Sequence, residues 1–254
     1  MTAATILSRR CNAVLWTMIV MLLGCSSEPP ASVATMPVKP IGGPKEGAAD
    51  ARTPWLADTL NHDEFTAEDG FRSLTLSDFE PFFAKPLQSP QTTWLAMRSA
   101  IVCFGKPKGY LYSKEKFTDF TLRLEFRFAP PTEEAATKTF NPNTGVMLHI
   151  TEPHKQWPKS LEVQGRFSDL ATIKENGGAA KMEIVDDGAA RESARKPVGE
   201  WNALEIVSKS GTVTSLLNGT KVCESQPSDV TSGMIGLQSE DFEVHFRRLR
   251  IRTE

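Results

Sequence analysis

Much of what would mark a familiar enzyme is missing from these 254 residues. Charge is nearly balanced, with 29 Lys and Arg against 31 Asp and Glu and a net charge of −2. The basic residues form no Arg/Lys face, which argues against nucleic acid as a partner. Cysteine and histidine are scarce, four of each, and none has the spacing of a zinc site. No phosphate loop, Gly-x-Ser-x-Gly or His-Glu-x-x-His occurs, so no nucleotide or organic cofactor is expected. Apolar runs are short, and the longest falls below the roughly 20 residues a membrane-spanning helix needs. No internal repeat is visible.

That longest run is AVLWTMIVMLL (13–23), preceded by Arg9 and Arg10, the layout of a signal-peptide h-region. It ends in Leu22-Leu23-Gly24-Cys25, which resembles the lipobox of bacterial lipoproteins. The resemblance implies a signal peptide over 1–24, cleavage before Cys25 and a lipidated thiol that anchors the chain to a membrane. Ser26 follows Cys25, so the Asp that retains some lipoproteins at the inner membrane is absent. The expected location is the cell envelope, on the outer membrane or a periplasmic face. Residues 25–66 read as the lipidated cysteine and a flexible Pro/Ala/Gly-rich tether without apolar periodicity. Cys11 leaves with the signal, and Cys103 and Cys223 are open to either a disulfide or free burial.

Residues 67–254 read as one all-β domain. TLRLEFRF (121–128) and DFEVHFRRLRIR (241–252) alternate apolar and polar, the period of a half-buried strand. TGVMLHI, SLEVQG, NALEIVS, TVTSLLNG and GMIGLQS are further strands. Ser210-Gly211 and Asn218-Gly219 mark tight turns, the second suited to type I′. Residues 169–196 show no clear pattern and are expected as a long surface excursion. Many short strands with frequent turns indicate a sandwich of two antiparallel sheets.

Six ordered segments carry a more specific signal: 70–83, 101–128, 143–150, WPKSLEVQG (157–165), 199–222 and GMIGLQSEDFEVHFRRLRIR (233–252). Together they resemble the 3-keto-disaccharide hydrolase-like domain family, and the resemblance covers almost the whole domain. It implies a concanavalin A-like jelly roll. It also implies action on glycosides whose glucose C3 hydroxyl has been oxidised to a ketone, by hydrolysis or by elimination across C1–C2. Some members are thought to need a divalent metal. The chain departs from the family pattern at Ser77–Phe82 and in the acidic stretch around Ser239–Glu243.

A 3-keto group acidifies the proton on C2, so the chemistry calls for a base there, a group that polarises the ketone, and an acid for the leaving oxygen. In WPKSLEVQG, which matches the family's Trp-Pro-x-x-(Ile/Leu)-Glu-x-Gln segment, period-2 geometry aims Glu162 and Gln164 the same way. The same rule gives Met147 and His149 a common face on the preceding strand. Glu162 and His149 are thus the expected catalytic pair, and also the expected ligands if a metal is bound. Gln164, Trp157, His154 and Lys159 are candidate contacts to a carbohydrate substrate, with Asn143 or Gly145 at the lip and Gln238 on a late strand bordering it. The paired-acid Glu-x-Asp-x-x-Glu pattern of retaining glucanases is missing, since Gln164 stands where a second acid would be needed. The alternative is a non-catalytic carbohydrate-binding module on the same fold.

Overall fold

The computed structural model describes residues 65–85, 93–98, 100–129 and 140–254. The signal peptide, Cys25 and nearly all of the expected tether lie outside these residues. The first strands are β1 (Arg72–Ser73), β2 (Phe79–Phe83), β3 (Trp94–Met97), β4 (Ala100–Cys103), β5 (Gly109–Ser113), β6 (Phe120–Phe128), β7 (Gly145–Ile150) and β8 (Ser160–Gln164). They are followed by β9 (Ile173–Asn176), β10 (Ile184–Asp186), a helix α1 (Gly188–Ala194), β11 (Asn202–Lys209), β12 (Thr212–Leu217), β13 (Thr220–Ser225), β14 (Met234–Ser239) and β15 (Val244–Thr253).

The strands form two antiparallel sheets. One runs β2-β5-β14-β7-β8-β9; the other runs β10-β13-β12-β11-β6-β15-β4-β3, with β1 paired to β15. Alternation decides what each strand presents. Leu122, Leu124, Phe126 and Phe128 of β6 meet Leu111, Val146, Leu148, Leu161, Val163 and Leu237 of the six-stranded sheet in one core. Each such side chain contributes about 1.5–3 kcal/mol on burial. A smaller apolar cluster of Tyr110, Met147, Ile150 and Met234 lies on the opposite, outer face of the six-stranded sheet. The architecture is the expected jelly-roll sandwich.

Both expected tight turns form. Leu217 pairs with Thr220 across Asn218 and Gly219, and Lys209 with Thr212 across Ser210 and Gly211. All four turn residues have positive φ, as a two-residue I′ turn requires. Two other expectations need correction. Residues 169–196 are no mere excursion: they supply an edge strand to each sheet, β9 and β10, and the helix α1. Their polar sequence reflects edge positions, where little is buried. Cys103 and Cys223 are both buried free thiols. They sit on β4 and β13, five strand spacings apart in one sheet, or ~24 Å, far beyond disulfide reach.

Each sheet also carries a bulge. Between the pairs Met234↔Ile150 and Gly236↔Met147, two residues of β7, Leu148 and His149, oppose the single Ile235 of β14. On β15, Arg248 and Leu249 likewise oppose Leu124 alone. His149 (φ 56°) and Arg248 (φ 52°) take up the left-handed backbone at these points, a local rearrangement that re-aims side chains.

Candidate active site

The bulge on β7 separates the two residues expected to act together. Glu162 and Gln164 share the outer face of the six-stranded sheet, while Leu161 and Val163 enter the core. His149 turns inward instead. It is fully buried, its Nδ1 lies 3.2 Å from the Phe117 carbonyl and its Nε2 2.9 Å from Ser208 Oγ on β11 of the other sheet. The carbonyl can only accept, so Nδ1 carries the proton and Nε2 accepts from the serine hydroxyl. The expected face shared by His149 and Met147 rested on regular alternation, and one extra residue cancels it. The same step returns Ile150 to the outer face beside Met147. His149 therefore ties one sheet to the other; burial holds its pKa below the usual histidine value.

Around Glu162 the outer face is ordered in rows set by register. Gly236, Met147, Glu162 and Lys174 form one row, and Gln238, Gly145 and Gln164 the next. Beyond the strand ends the following positions are Glu240, Asn143 and Arg166. The Gln238 amide lies against the Glu162 carboxyl and stabilises its charged form, and Asn143 Nδ2 donates to Glu240 Oε2. A carboxylate can only accept, so both amides give up their nitrogen side. Their oxygens, Gln238 Oε1 and Asn143 Oδ1, are left buried without a partner. Buried polar atoms nearly always have one, and unpaired acceptors beside two acids are suited to hydroxyl donors.

Gly145 makes this packing possible. A Cβ there would lie 2.5 Å from Gln238 Oε1 and 3.0 Å from Glu162 Oε1. Electrostatics follow from the burial. Desolvation pushes the Glu162 carboxyl above the ordinary glutamate range; the Gln238 hydrogen bond opposes this, the charge of Glu240 adds to it, and Lys174 and Arg166 pull back. Glu240 is likewise raised by burial, against the hydrogen bond from Asn143 and the charges of Lys108 and Arg166. Arg166 thus acts on both acids.

The remaining candidates lie on the loop 151–159, which folds back over the outer face. His154 Nδ1 is 3.0 Å from the Tyr110 hydroxyl, and the ring lies 4.1 Å from Tyr112 and 5.8 Å from Phe82 between centroids. Trp157 packs on the cluster of Tyr110, Met147, Ile150 and Met234. Lys159 is drawn to the rim by Asp229, 2.6 Å away. Gln164 turns its Oε1 to the Arg166 backbone N–H at 2.8 Å. Glu162 and Gln164 thus belong to an acid-and-amide end of the face, and His154 and Trp157 to an aromatic end. Glu240 and Arg166 were not picked out from the sequence, because strand alternation says nothing past a strand's last residue, and Lys174 was missed because its strand, β9, was not recognised. The one available signal was the unusual acidity of Ser239–Glu243.

Among the described residues no group of three or more His, Cys, Asp or Glu is placed to hold a metal ion. His149 and Glu162, the expected joint ligands, face opposite sides of their sheet. The described residues therefore do not fit the divalent metal that the sequence resemblance implied. Nor is any helix among the described residues long and apolar enough to cross a membrane.

Comparison with known proteins agrees with this fold. A protein of Parabacteroides distasonis described as a candidate glycosyl hydrolase superposes with a TM-score of 0.53 at 19% identity, over 72% of this chain and 99% of its own. A second from the same organism, similarly described, gives 0.52 at 16% identity, over 76% and 100%. No curated protein matches the chain. The family model of the 3-keto-alpha-glucoside-1,2-lyase-like domain matches residues 58–252, nearly the whole span from the tether to the end of β15, and the chain belongs to that family, whose description ties it to carbohydrate.

Proposed function

We propose that the domain cleaves 3-keto-glycosides, with Glu162 as the base that removes the proton from C2. The observation that carries this reading is the Glu162 carboxyl, desolvated and held by Gln238 over Gly145 beside an unpaired buried amide oxygen. A carboxylate that desolvation has made more basic is a better proton acceptor than a solvated one. The C3 ketone spreads the charge left on C2 onto its oxygen, and the nearby Arg166 guanidinium would stabilise that developing enolate. Expulsion of the C1 oxygen then gives an unsaturated keto-sugar. Release at this stage is a lyase reaction, and addition of water back to C1 completes a hydrolysis. Sugar hydroxyls would supply the donors that Gln238 and Asn143 lack.

The test is release of aglycone from a 3-keto-glucoside by the purified protein, with exchange of the C2 hydrogen in deuterated water followed by NMR. Activity in the wild type and its loss in Glu162→Gln, with folding retained, are expected. Cleavage by the variant at the wild-type rate would overturn the assignment. The aromatic end, with Trp157 and the stacked Phe82, Tyr112 and His154, favours a second reading, a non-catalytic carbohydrate-binding module. Calorimetric sugar binding with neither cleavage nor C2 exchange would decide for it.

We also propose that the chain works at the cell envelope, lipidated on Cys25. Support comes from the run 13–23 and the Leu-Leu-Gly-Cys motif. Labelled palmitate should enter the wild type and not Cys25→Ala, and label in both would refute the anchor.

A further inference from the structure

We propose that Glu240 is the second catalytic carboxyl of this site, donating the proton that the leaving oxygen needs while Glu162 accepts the one from C2. The inference rests on the 3-keto-glycoside reading above and adds to it a residue outside the Glu-x-Gln motif.

The geometry comes from the start of β7 and the residues just before it. Glu162 lies over Gly145, its Oε1 3.0 Å from where a Cβ would stand. Glu240 is bonded to the side chain of Asn143, two residues earlier on the same chain. Two residues of extended chain span about 6.6–6.8 Å, so the anchor points of the two acids, Gly145 and Asn143, are on the order of 7 Å apart, and the charge of Glu240 reaches Glu162. That spacing admits one pyranose ring between them, with C2 toward one acid and the C1 oxygen toward the other. The unpaired acceptor beside them suits a hydroxyl-bearing ligand: Gln238 is 1% exposed, lies beside Glu162 above Gly145, and keeps Oε1 unpaired. Asn143 holds Glu240 in position, and the charge of Arg166 acts on both acids, with Lys174 adding to it at Glu162 and Lys108 at Glu240.

The step balances. Glu162 takes the C2 proton; the C2–H electron pair forms the enolate and then the C1=C2 bond; the C1–O bond breaks and its electrons go to the leaving oxygen. Glu240 gives that oxygen its proton, releasing the aglycone as an alcohol. The pair holds one proton before and after, moved from Glu240 to Glu162, so transfer through water resets it without any co-reactant. Across a sugar ring the acids do not share the proton, but like charges resist joint ionisation, so a charged Glu162 helps Glu240 to keep its own.

The test compares wild type and Glu240→Gln on two 3-keto-glucosides, one with a nitrophenol and one with an alkyl alcohol as aglycone, while C2 exchange is measured on both. General acid assistance matters most when the departing oxygen is basic. Glu240→Gln is expected to lose on the order of 100-fold or more on the alkyl glucoside, and less than about 10-fold on the nitrophenyl one. C2 exchange, which belongs to Glu162, should persist. Glu240→Asp, a shortened acid, should recover part of the alkyl-glucoside rate. Equal losses on both substrates, or loss of C2 exchange together with cleavage, would overturn the role of Glu240 and leave Glu162 standing. A wild type that neither cleaves nor exchanges would instead overturn the underlying reading.

Discussion

The two outer faces of this sandwich use the same residue in opposite ways. On the nine-stranded sheet, Glu125 sits between Arg247 at 2.7 Å and Arg248 at 2.9 Å. Burial works to raise its pKa, but those two arginines outweigh it and hold the carboxyl below the ordinary range. On the six-stranded sheet, Glu162 occupies an equivalent outward strand position and is met by an amide, a glycine and a second acid, so burial prevails and its pKa rises. The Arg248 bulge turns its extra side chain outward to complete an ion pair, whereas the His149 bulge turns its own inward. One face has its charges satisfied; the other leaves carboxyls and amide oxygens short of partners. Perturbed acids of the second kind are where chemistry is expected.

Substitutions can break that contrast in order of effect. The largest belongs to Glu162→Gln, with kcat/KM for a 3-keto-glucoside falling by about 10³-fold, equivalent to ~4 kcal/mol, at unchanged melting temperature. Gly145→Ala comes next. Its methyl group would displace Gln238 and Glu162, with an expected loss of about 10- to 100-fold in turnover and ~1–3 kcal/mol in stability by denaturant melt. His149→Leu removes one hydrogen bond each from Ser208 and the Phe117 carbonyl, which keep Thr118 and Gly233 as partners, and should cost ~1–2 kcal/mol, with C2 exchange tracking the folded fraction. Glu125→Ala on the opposite face deprives two arginines of a shared carboxylate. About 2 kcal/mol of stability should go with turnover per folded molecule intact; a catalytic defect there would erase the distinction between the faces.

The smallest effect concerns pH. Arg250 donates to Glu68 at 2.5 and 2.6 Å and, against a small burial effect, lowers its pKa to about 2. A depressed folded-state pKa gives stability that is present above the ordinary glutamate range and lost as pH falls through about 2. Glu68 is 45% exposed, so solvent screening limits the contribution to less than ~1 kcal/mol. The melting difference between wild type and Glu68→Gln should therefore be small at pH 6 and vanish toward pH 2. Glu162 moves the other way. The acid limb of the activity profile should lie above the ordinary glutamate range, because the base must be ionised and burial resists ionisation.

The sandwich was legible in the sequence because alternation and turn chemistry are local. β6, β15, both two-residue turns and the common face of Glu162 and Gln164 follow from spacing alone. His149 was misplaced because nothing in GVMLHI announces a bulge: the extra residue is defined by the partner strand, and a histidine with positive φ has no local signature. Glu240 escaped notice because it lies just past β14, where only the third dimension brings it to Asn143. The edge strands β9 and β10 were missed because little of them is buried and so little apolar patterning survives.

The bulge on β7 also gives that strand two addresses. Up to Met147 the chain speaks to the acid end of the outer face; after one uncounted residue, Ile150 and the loop behind it are delivered to the aromatic end, with His149 pinning the joint to the opposite sheet. Changes in the length or sequence of residues 151–159 are thereby insulated from the register that holds Gly145 and Glu162. The loop could vary while the acid end stays in phase, with a single inserted residue serving as the gearbox between the two.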